Sequence, residues 1–232
     1  MQYNDSTNES GIVQDVWTLS GTDTNSYTLK QVTRSVNGWL RLVQSWILGA
    51  DGRFQYDDSN YTDLPVATTN LVANQDNYSF DSTWLEVIKV EAAQDSSVSN
   101  FNVLKPFDIN DINNYSEFQK TAGVPSFYDI IGSSIILKPA SSFNTTGGLK
   151  FYFKRKASEF VSTDTTKEPG FASPYHRILS LGAAYDYCMA NSVRNPVGLR
   201  NEIEVLKQEL LKHYSRRDRV EKPRVGRISR YK

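Results

Sequence analysis

The stretch LKQVTRSVNGWLRLVQSWI, residues 29–47, sets the first element of the chain. Its apolar side chains recur at steps of three and four residues, which is the spacing of one face of an α-helix. The stripe consists of Leu29, Val32, Val36, Trp39, Leu40, Val43, Trp46 and Ile47. Asn25 or Ser26 is suited to cap this helix, and Gly49 is suited to end it.

After this helix the period of the pattern changes to two. Short runs rich in β-branched and aromatic residues, such as WLEVIKVEAA (84–93) and LKFYFKRK (149–156), are separated by clusters of Asn, Asp, Gly, Ser and Pro. IIGSSIILKP (130–139) predicts two strands joined by a Gly-Ser-Ser turn, and TTGGLK (145–150) predicts a hairpin turn. The region as a whole predicts an antiparallel sandwich or barrel of six to eight strands.

Helical patterns return at residue 173. SPYHRILSLGAAYDYCMAN (173–191) places Ser173 as the N-cap and Pro174 at the first helical position. A second helix follows in NPVGLRNEIEVLKQELLKHY (195–214), with Asn195 as its cap. The apolar stripe of this second helix is Leu199, Ile203, Leu206 and Leu210.

The order of the elements predicts an α+β protein: a helical bundle of about three helices with an inserted antiparallel β-sandwich or barrel lobe and an extended C-terminal tail. In the N-terminal arm only Val13, Val16 and Trp17 are candidate anchors, and GIVQDVWTLSG (11–21) can dock as a short helix or strand. The predicted boundaries are an arm at 1–24, the first helix of the helical domain at 25–50, the β lobe at 51–160, two helices at 161–214 and the tail at 215–232.

The composition predicts a folded core, and the charged residues are unevenly distributed along the sequence. The chain is 39% hydrophobic and 12% aromatic, and its 26 basic residues balance its 26 acidic ones. Residues 1–26 hold four acids and no base, residues 51–120 have a net charge of −8, and residues 215–232 have a net charge of +6. Such a chain can pair with copies of itself or with an oppositely charged partner.

The sequence gives no sign of export or membrane insertion. No run of about 18 apolar residues occurs, and the polar, acidic start of the chain lacks the pattern of a signal peptide. The single cysteine, Cys188, excludes an internal disulfide. We therefore expect a protein made in a cytoplasm, with no membrane partner.

Residue types that carry chemistry are sparse. His176 and His213 are the only histidines, and we expect structural roles for both and a buried thiol for Cys188. The acidic stretches DGRFQYDD (51–58) and DINDINN (108–114) break the calcium-loop pattern and predict solvated loop edges. Phosphate-binding loops are absent. We therefore predict no catalytic residue, no metal site and no cofactor, although carboxylates assembled in space, as in a hydrolase, remain a third alternative.

The basic tail is the sharpest feature of the sequence. Its candidate docking residues are Arg216, Arg217, Arg219, Lys222, Arg224, Val225, Arg227, Ile228, Arg230 and Tyr231. A charged terminus of this kind can serve solubility alone, bind nucleic-acid phosphate, or dock in an acidic protein groove. Docking accounts best for the apolar Val225, Ile228 and Tyr231, which stand at steps of three and suit a peptide that folds on binding.

Three stretches resemble virion proteins of tailed bacteriophages. TAGVPSFYDIIGSSIILKPASS (121–142) contains a Gly-x-Pro-x-x-Tyr pattern, then a short turn and an apolar strand that ends in Lys-Pro. SPYHRILSLGAAYDYCMA (173–190) is similar to the helix that follows the sheet in these proteins, and residues 29–47 are similar to their first helix. Across residues 25–232 the layout resembles the head-to-tail adaptors of short-tailed phages, which include head-completion, tail-tubular and neck-ring proteins.

The resemblance implies a structural protein of the virion neck rather than an enzyme. It implies a ring of twelve copies seated on the portal, with genomic DNA passing through its lumen and the next tail or neck protein below it. It also implies that the C-terminal tail reaches between portal subunits. The alternative function is a nucleic-acid-associated or ligand-binding β-sandwich module that uses the basic tail on phosphate.

Overall fold

A computed structural model describes residues 1–50, 58–81, 83–107, 121–193 and 195–217. The chain divides into two compact units: Met1–Thr62 together with Ala157–Lys232, and Asp63–Lys156. The first unit is helical and the second is built of strands, so the prediction of an α+β protein with an inserted β region is confirmed. The inserted unit is shorter at both ends than the predicted lobe at 51–160.

The helical unit contains four helices in its described part. They are α1 (Ile12–Ser20), α2 (Leu29–Ala50), α3 (Arg177–Asn191) and α4 (Val197–Arg217), and a 3-10 turn at Ser173–Tyr175 precedes α3. None of the helices in the described part of the chain is long and apolar enough to span a bilayer.

Helix α2 forms because its apolar stripe has a core to face. Five of the eight predicted stripe residues are fully or almost fully buried, and the other three are partly buried; the five are Val32, Val36, Leu40, Val43 and Ile47. The predicted caps, Asn25 and Ser26, are wrong. The helix begins after Thr28, whose N–H and hydroxyl both donate to Gln31 Oε1 at 3.0 and 2.8 Å, as in a capping box.

The N-terminal residues belong to the helical core rather than to a separate arm. Tyr3, Ile12, Val13 and Val16 are fully buried. The ring of Tyr3 stacks on Phe160 at 4.5 Å, and burial raises the pKa of its phenol to about 12. The sequence predicted less burial here, because its few apolar residues stand in a polar stretch. Helix α1 needs only one narrow apolar face to join the core.

Helices α3 and α4 follow each other as the sequence predicts, with one correction. Ser173 and Pro174 lie in the 3-10 turn, and α3 itself begins at Arg177, so the predicted N-cap at Ser173 is wrong. Asn195 does cap α4, since its Oδ1 accepts the N–H of Val197 at 3.1 Å.

The strand unit consists of two four-stranded sheets. In chain order, the strands are β1 (Val66–Leu71), β2 (Asn77–Ser79), β3 (Glu86–Ala93), β4 (Phe101–Val103), β5 (Lys105–Pro106), β6 (Phe127–Ile131), β7 (Ser134–Lys138) and β8 (Thr145–Lys154). Sheet A has the order β1-β8-β3-β4 and is antiparallel throughout. Sheet B has the order β2-β7-β6-β5, and its β5–β6 pair is parallel, which departs from the all-antiparallel prediction.

Both sheets bury side chains in one core, as in a sandwich. The buried members of this core are Leu71, Tyr78, Val90, Ala92, Leu104, Tyr128, Ile135, Leu137, Leu149 and Phe151. The predicted turn in IIGSSIILKP is confirmed, because β6 and β7 are adjacent and Gly132 between them has a φ of +62°.

The TTGGLK stretch is not a hairpin turn. It forms the first half of β8, which is the longest strand described. Gly147 has a φ of +67°, and the pairing of β8 with β1 shifts register between Thr69 and Leu71. The two glycines therefore permit a bulge within a strand, rather than the chain reversal that their sequence suggests.

Candidate functional site

The C-terminal end of α4 is fixed to the helical core. Leu210 and Tyr214 are almost completely buried, and the Tyr214 hydroxyl accepts a hydrogen bond from the Ala172 N–H at 3.0 Å. The amphipathic spacing of α4 brings Ile203, Leu210 and Tyr214 to the core and leaves its charged residues outside. The last turn of α4 is therefore held in a defined position on the helical core.

A basic, concave surface lies at this point. Tyr175, Glu209, Lys212, His213 and Arg216 line a concavity of about 460 Å³. The His213 ring lies 5.6 Å from the Tyr175 ring. Within the described part of the chain, Lys212 and Arg216 make no salt bridge. Glu209 contributes an acidic side chain to the same wall.

Of the predicted docking residues, Arg216 and Arg217 lie within the described part of the chain. Arg216 is exposed on α4, and Arg217 is the last residue of that helix. Helix α4 therefore extends three residues beyond the predicted helix end at 214 and includes the first two basic residues of the predicted tail. The remaining predicted residues, Arg219, Lys222, Arg224, Val225, Arg227, Ile228, Arg230 and Tyr231, lie outside the described residues.

The two histidines differ in environment. His176 is 1% exposed, its Nε2 is 2.7 Å from the Phe171 carbonyl oxygen, and burial lowers its pKa. This supports the structural role predicted for it. His213 is exposed and forms part of the wall of the basic concavity.

The remaining candidates for chemistry give no site in the described residues. Cys188 is buried, as predicted. No group of three or more His, Cys, Asp or Glu side chains that could hold a metal ion occurs in the described ranges. Of the two acidic stretches, 51–57 and 108–114 lie outside those ranges. Asp58 is buried and accepts the Asn60 N–H at 3.0 Å, so it supports a turn.

A second surface was missed by sequence reasoning. Residues of α2 and α3, with the turn before α2, line a groove of about 630 Å³ that includes Arg34, Asp186 and Tyr187. Tyr27 and Tyr187 stack at 4.5 Å, and Asp186 accepts the Trp39 indole N–H at 2.8 Å. Burial raises the pKa of Asp186. The feature of the sequence that could have indicated this groove is that residues 27–50 contain three bases and no acid.

Comparison with known proteins gives one finding. A family model described as SU10 adaptor protein matches residues 7–226, which is nearly the whole chain and includes both units. No curated protein matches the chain.

Proposed function

The chain belongs to the SU10 adaptor protein family, and from that premise we propose how it connects a phage head to its tail. Membership confirms the resemblance to phage head-to-tail adaptors and makes the chain a structural adaptor. The proposal concerns the assembly that the adaptor forms, the partner it binds and the segment that makes the contact.

Copies of the chain form a ring of twelve on the portal and extend the DNA channel toward the next tail component. The separation of charge along the sequence supports this arrangement. A closed ring needs two different faces on each copy that complement each other, and a chain with acidic and basic regions can supply them.

The tail docks between portal subunits. The observation that carries this proposal is the anchored end of α4. Tyr214 holds the last turn of the helix in place, and among the described residues Lys212 and Arg216 in the concavity beside it make no salt bridge. Charges on the tail steer it toward an acidic crevice, and Val225, Ile228 and Tyr231 supply apolar contacts there.

A ring gives weak tails a strong combined grip. Each tail after the first binds at the high effective concentration set by the ring, so affinity rises without new contacts.

Apolar anchoring is tested by the double variant Ile228→Ala/Tyr231→Ala, with Ser229→Ala as the matched control between the two anchors. Binding to the portal is measured over a range of salt concentrations. The double variant is expected to lose about tenfold or more in affinity, because two buried side chains are truncated. The control is expected to bind like the unaltered chain.

The nucleic-acid alternative makes a different prediction for the same proteins. Binding by phosphate neutralisation falls steeply with salt and is indifferent to Ile228 and Tyr231. Tight binding to duplex DNA by the full chain, with no affinity for the portal, would replace the adaptor proposal with that alternative.

A further inference from the structure

Sheet A has two open edges. Its order leaves β1 at one side and β4 at the other. In the described residues, these strands make no backbone hydrogen bond outside their ladders except that of the Val66 N–H to the Leu64 carbonyl oxygen. Each edge therefore presents backbone donors and acceptors that another strand can pair with.

Of the four edge strands in the two sheets, β1 is the least protected. It is six residues long, and its sequence VATTNL holds no charge and no proline. By contrast, β2 and β4 have three residues each, and β5 has two, one of which is Pro106. Natural proteins block exposed edges with short strands, charges and prolines, so a long uncharged edge marks a place where pairing is expected.

The directions of the two edges suit a ring. Each neighbouring pair in sheet A is antiparallel, so β1 and β4, which lie three steps apart, run antiparallel to each other. A copy rotated about an axis along the strands therefore offers its β1 antiparallel to β4 of the first copy. The contact uses two different patches on opposite edges of one sheet, as a closed cyclic interface requires.

We propose that β4 of each copy pairs with β1 of the next, so that sheet A continues from subunit to subunit around the adaptor ring. This inference rests on the ring of the proposed function. It specifies the strands through which neighbouring copies meet, and the occupant of the open edge is a second copy of this chain.

Side chains at the end of the joint fit this pairing. In the antiparallel arrangement, the end of β4 lies beside the start of β1 of the next copy. Val103 on β4 is 52% exposed, and Leu64 before β1 is 66% exposed. The exposed Lys105 follows β4. Asp63, whose carboxylate pairs with Arg155 at 3.1 Å but is still 75% exposed, precedes β1, so an exposed base and an exposed acid lie at this end of the joint.

The other end of the joint is apolar as well. Val98, in the loop before β4, and Val72, directly after β1, are both exposed. Antiparallel pairing places them at the same end. Exposed valines and unpaired strand edges are both unfavourable in a free copy. This one association covers both.

Disulfide trapping tests the pairing in the ring assembled on the portal. Asn102→Cys on β4 is combined in turn with Ala67→Cys, Thr68→Cys and Thr69→Cys on β1, the three registers that place the end of β4 beside the start of β1. The natural thiol, Cys188, is buried and does not interfere. At least one of the three pairs is expected to give a ladder of cross-linked copies under mild oxidation, because paired residues lie within disulfide range.

Controls separate this joint from other contacts. Each single variant is expected to give no ladder, and Asn102→Cys with Asn77→Cys, on the edge strand β2 of the other sheet, is expected to give none. Cross-linking by Thr69→Cys alone would mean that β1 pairs with β1, which overturns the inference. A ring that forms normally but yields no ladder with any of the three pairs also overturns it.

A charge on the open edge gives an independent test. Thr68→Lys is expected to reduce ring assembly on the portal about tenfold or more, while Asn77→Lys leaves it unchanged. The thermal unfolding midpoint of both variants should match that of the unaltered chain, since both sites are exposed. Equal assembly by both variants contradicts the inference, whereas an unaltered chain that forms no ring contradicts the proposed function and the inference together.

Discussion

At the scale of single residues, Gly182 sets how closely α2 and α3 approach. A Cβ at this position would penetrate the indole of Trp39, whose ring is held by its hydrogen bond to Asp186. Gly182→Ala is expected to lower the free energy of unfolding by about 1–3 kcal/mol, the usual cost of overpacking.

The matched control for this change is Gly38→Ala in α2. A Cβ at Gly38 meets nothing within 4 Å, and alanine is the better helix former, so this variant should gain about 0.5–1 kcal/mol. Chemical denaturation of both variants measures the difference. Equal effects of the two substitutions would show that the Trp39 contact does not constrain the helices.

His176 makes stability depend on pH. Burial lowers its pKa in the folded state below the usual value of about 6.5, so the unfolded chain binds the proton more readily. Its contribution is complete above that value and is lost as pH falls toward the folded-state pKa. The groups facing the ring are the Met1 nitrogen, 3.0 Å from Nδ1, and the nearby Glu168 carboxylate.

This dependence is measured as the free energy of unfolding between about pH 7.5 and pH 5.5. The unaltered chain is expected to lose stability across the window, and His176→Gln to show a shallower slope whatever its absolute stability. Parallel slopes for the two proteins would exclude His176 as the source of the dependence.

At the scale of elements, the start of α2 depends on Gln31. Its Oε1 accepts from both the N–H and the hydroxyl of Thr28, so Gln31→Ala leaves these donors without that partner. The loss is expected to be about 0.5–1 kcal/mol in the free energy of unfolding. Lys30→Ala, in the same turn and exposed, should change stability by less than about 0.5 kcal/mol; a loss as large as that of Gln31→Ala would argue against the cap.

The elements show what sequence patterns can and cannot predict. The stripe of α2 was predictable because period 3.6 is a local property, and the cap at Asn195 was predictable because capping uses neighbouring residues. The cap at Thr28 was missed because Thr24, Asn25 and Ser26, shortly before it, are residue types that also suit a helix cap. The bulge at Gly147 was missed because two adjacent glycines favour a turn and a bulge equally.

Long-range pairing accounts for the other misses. Nothing local indicates that Lys138 is buried, because its charge is satisfied by Asp76, 62 residues earlier, at 2.9 Å. The parallel pairing of β5 and the burial of Tyr3 likewise depend on distant segments. Of the candidate site, the sequence predicted the basic tail, but the concavity formed by Tyr175 and α4 required the fold.

At the scale of the whole molecule, folding and docking are assigned to different parts of the chain. The last residue of the described core is Tyr214, so ending the chain at Arg217 should leave the free energy of unfolding within about 0.5 kcal/mol of the full chain. Chemical denaturation of the two chains checks this expectation. A larger loss would mean that the tail contributes to the fold and is not reserved for a partner.

The most direct test of the account is the mass of the assembly in solution, measured with and without the portal, for the full chain and for the chain that ends at Arg217. The full chain is expected to add a ring of copies to the portal, and the shortened chain to remain free beside it. Equal binding of both chains to the portal would contradict the docking role of the tail.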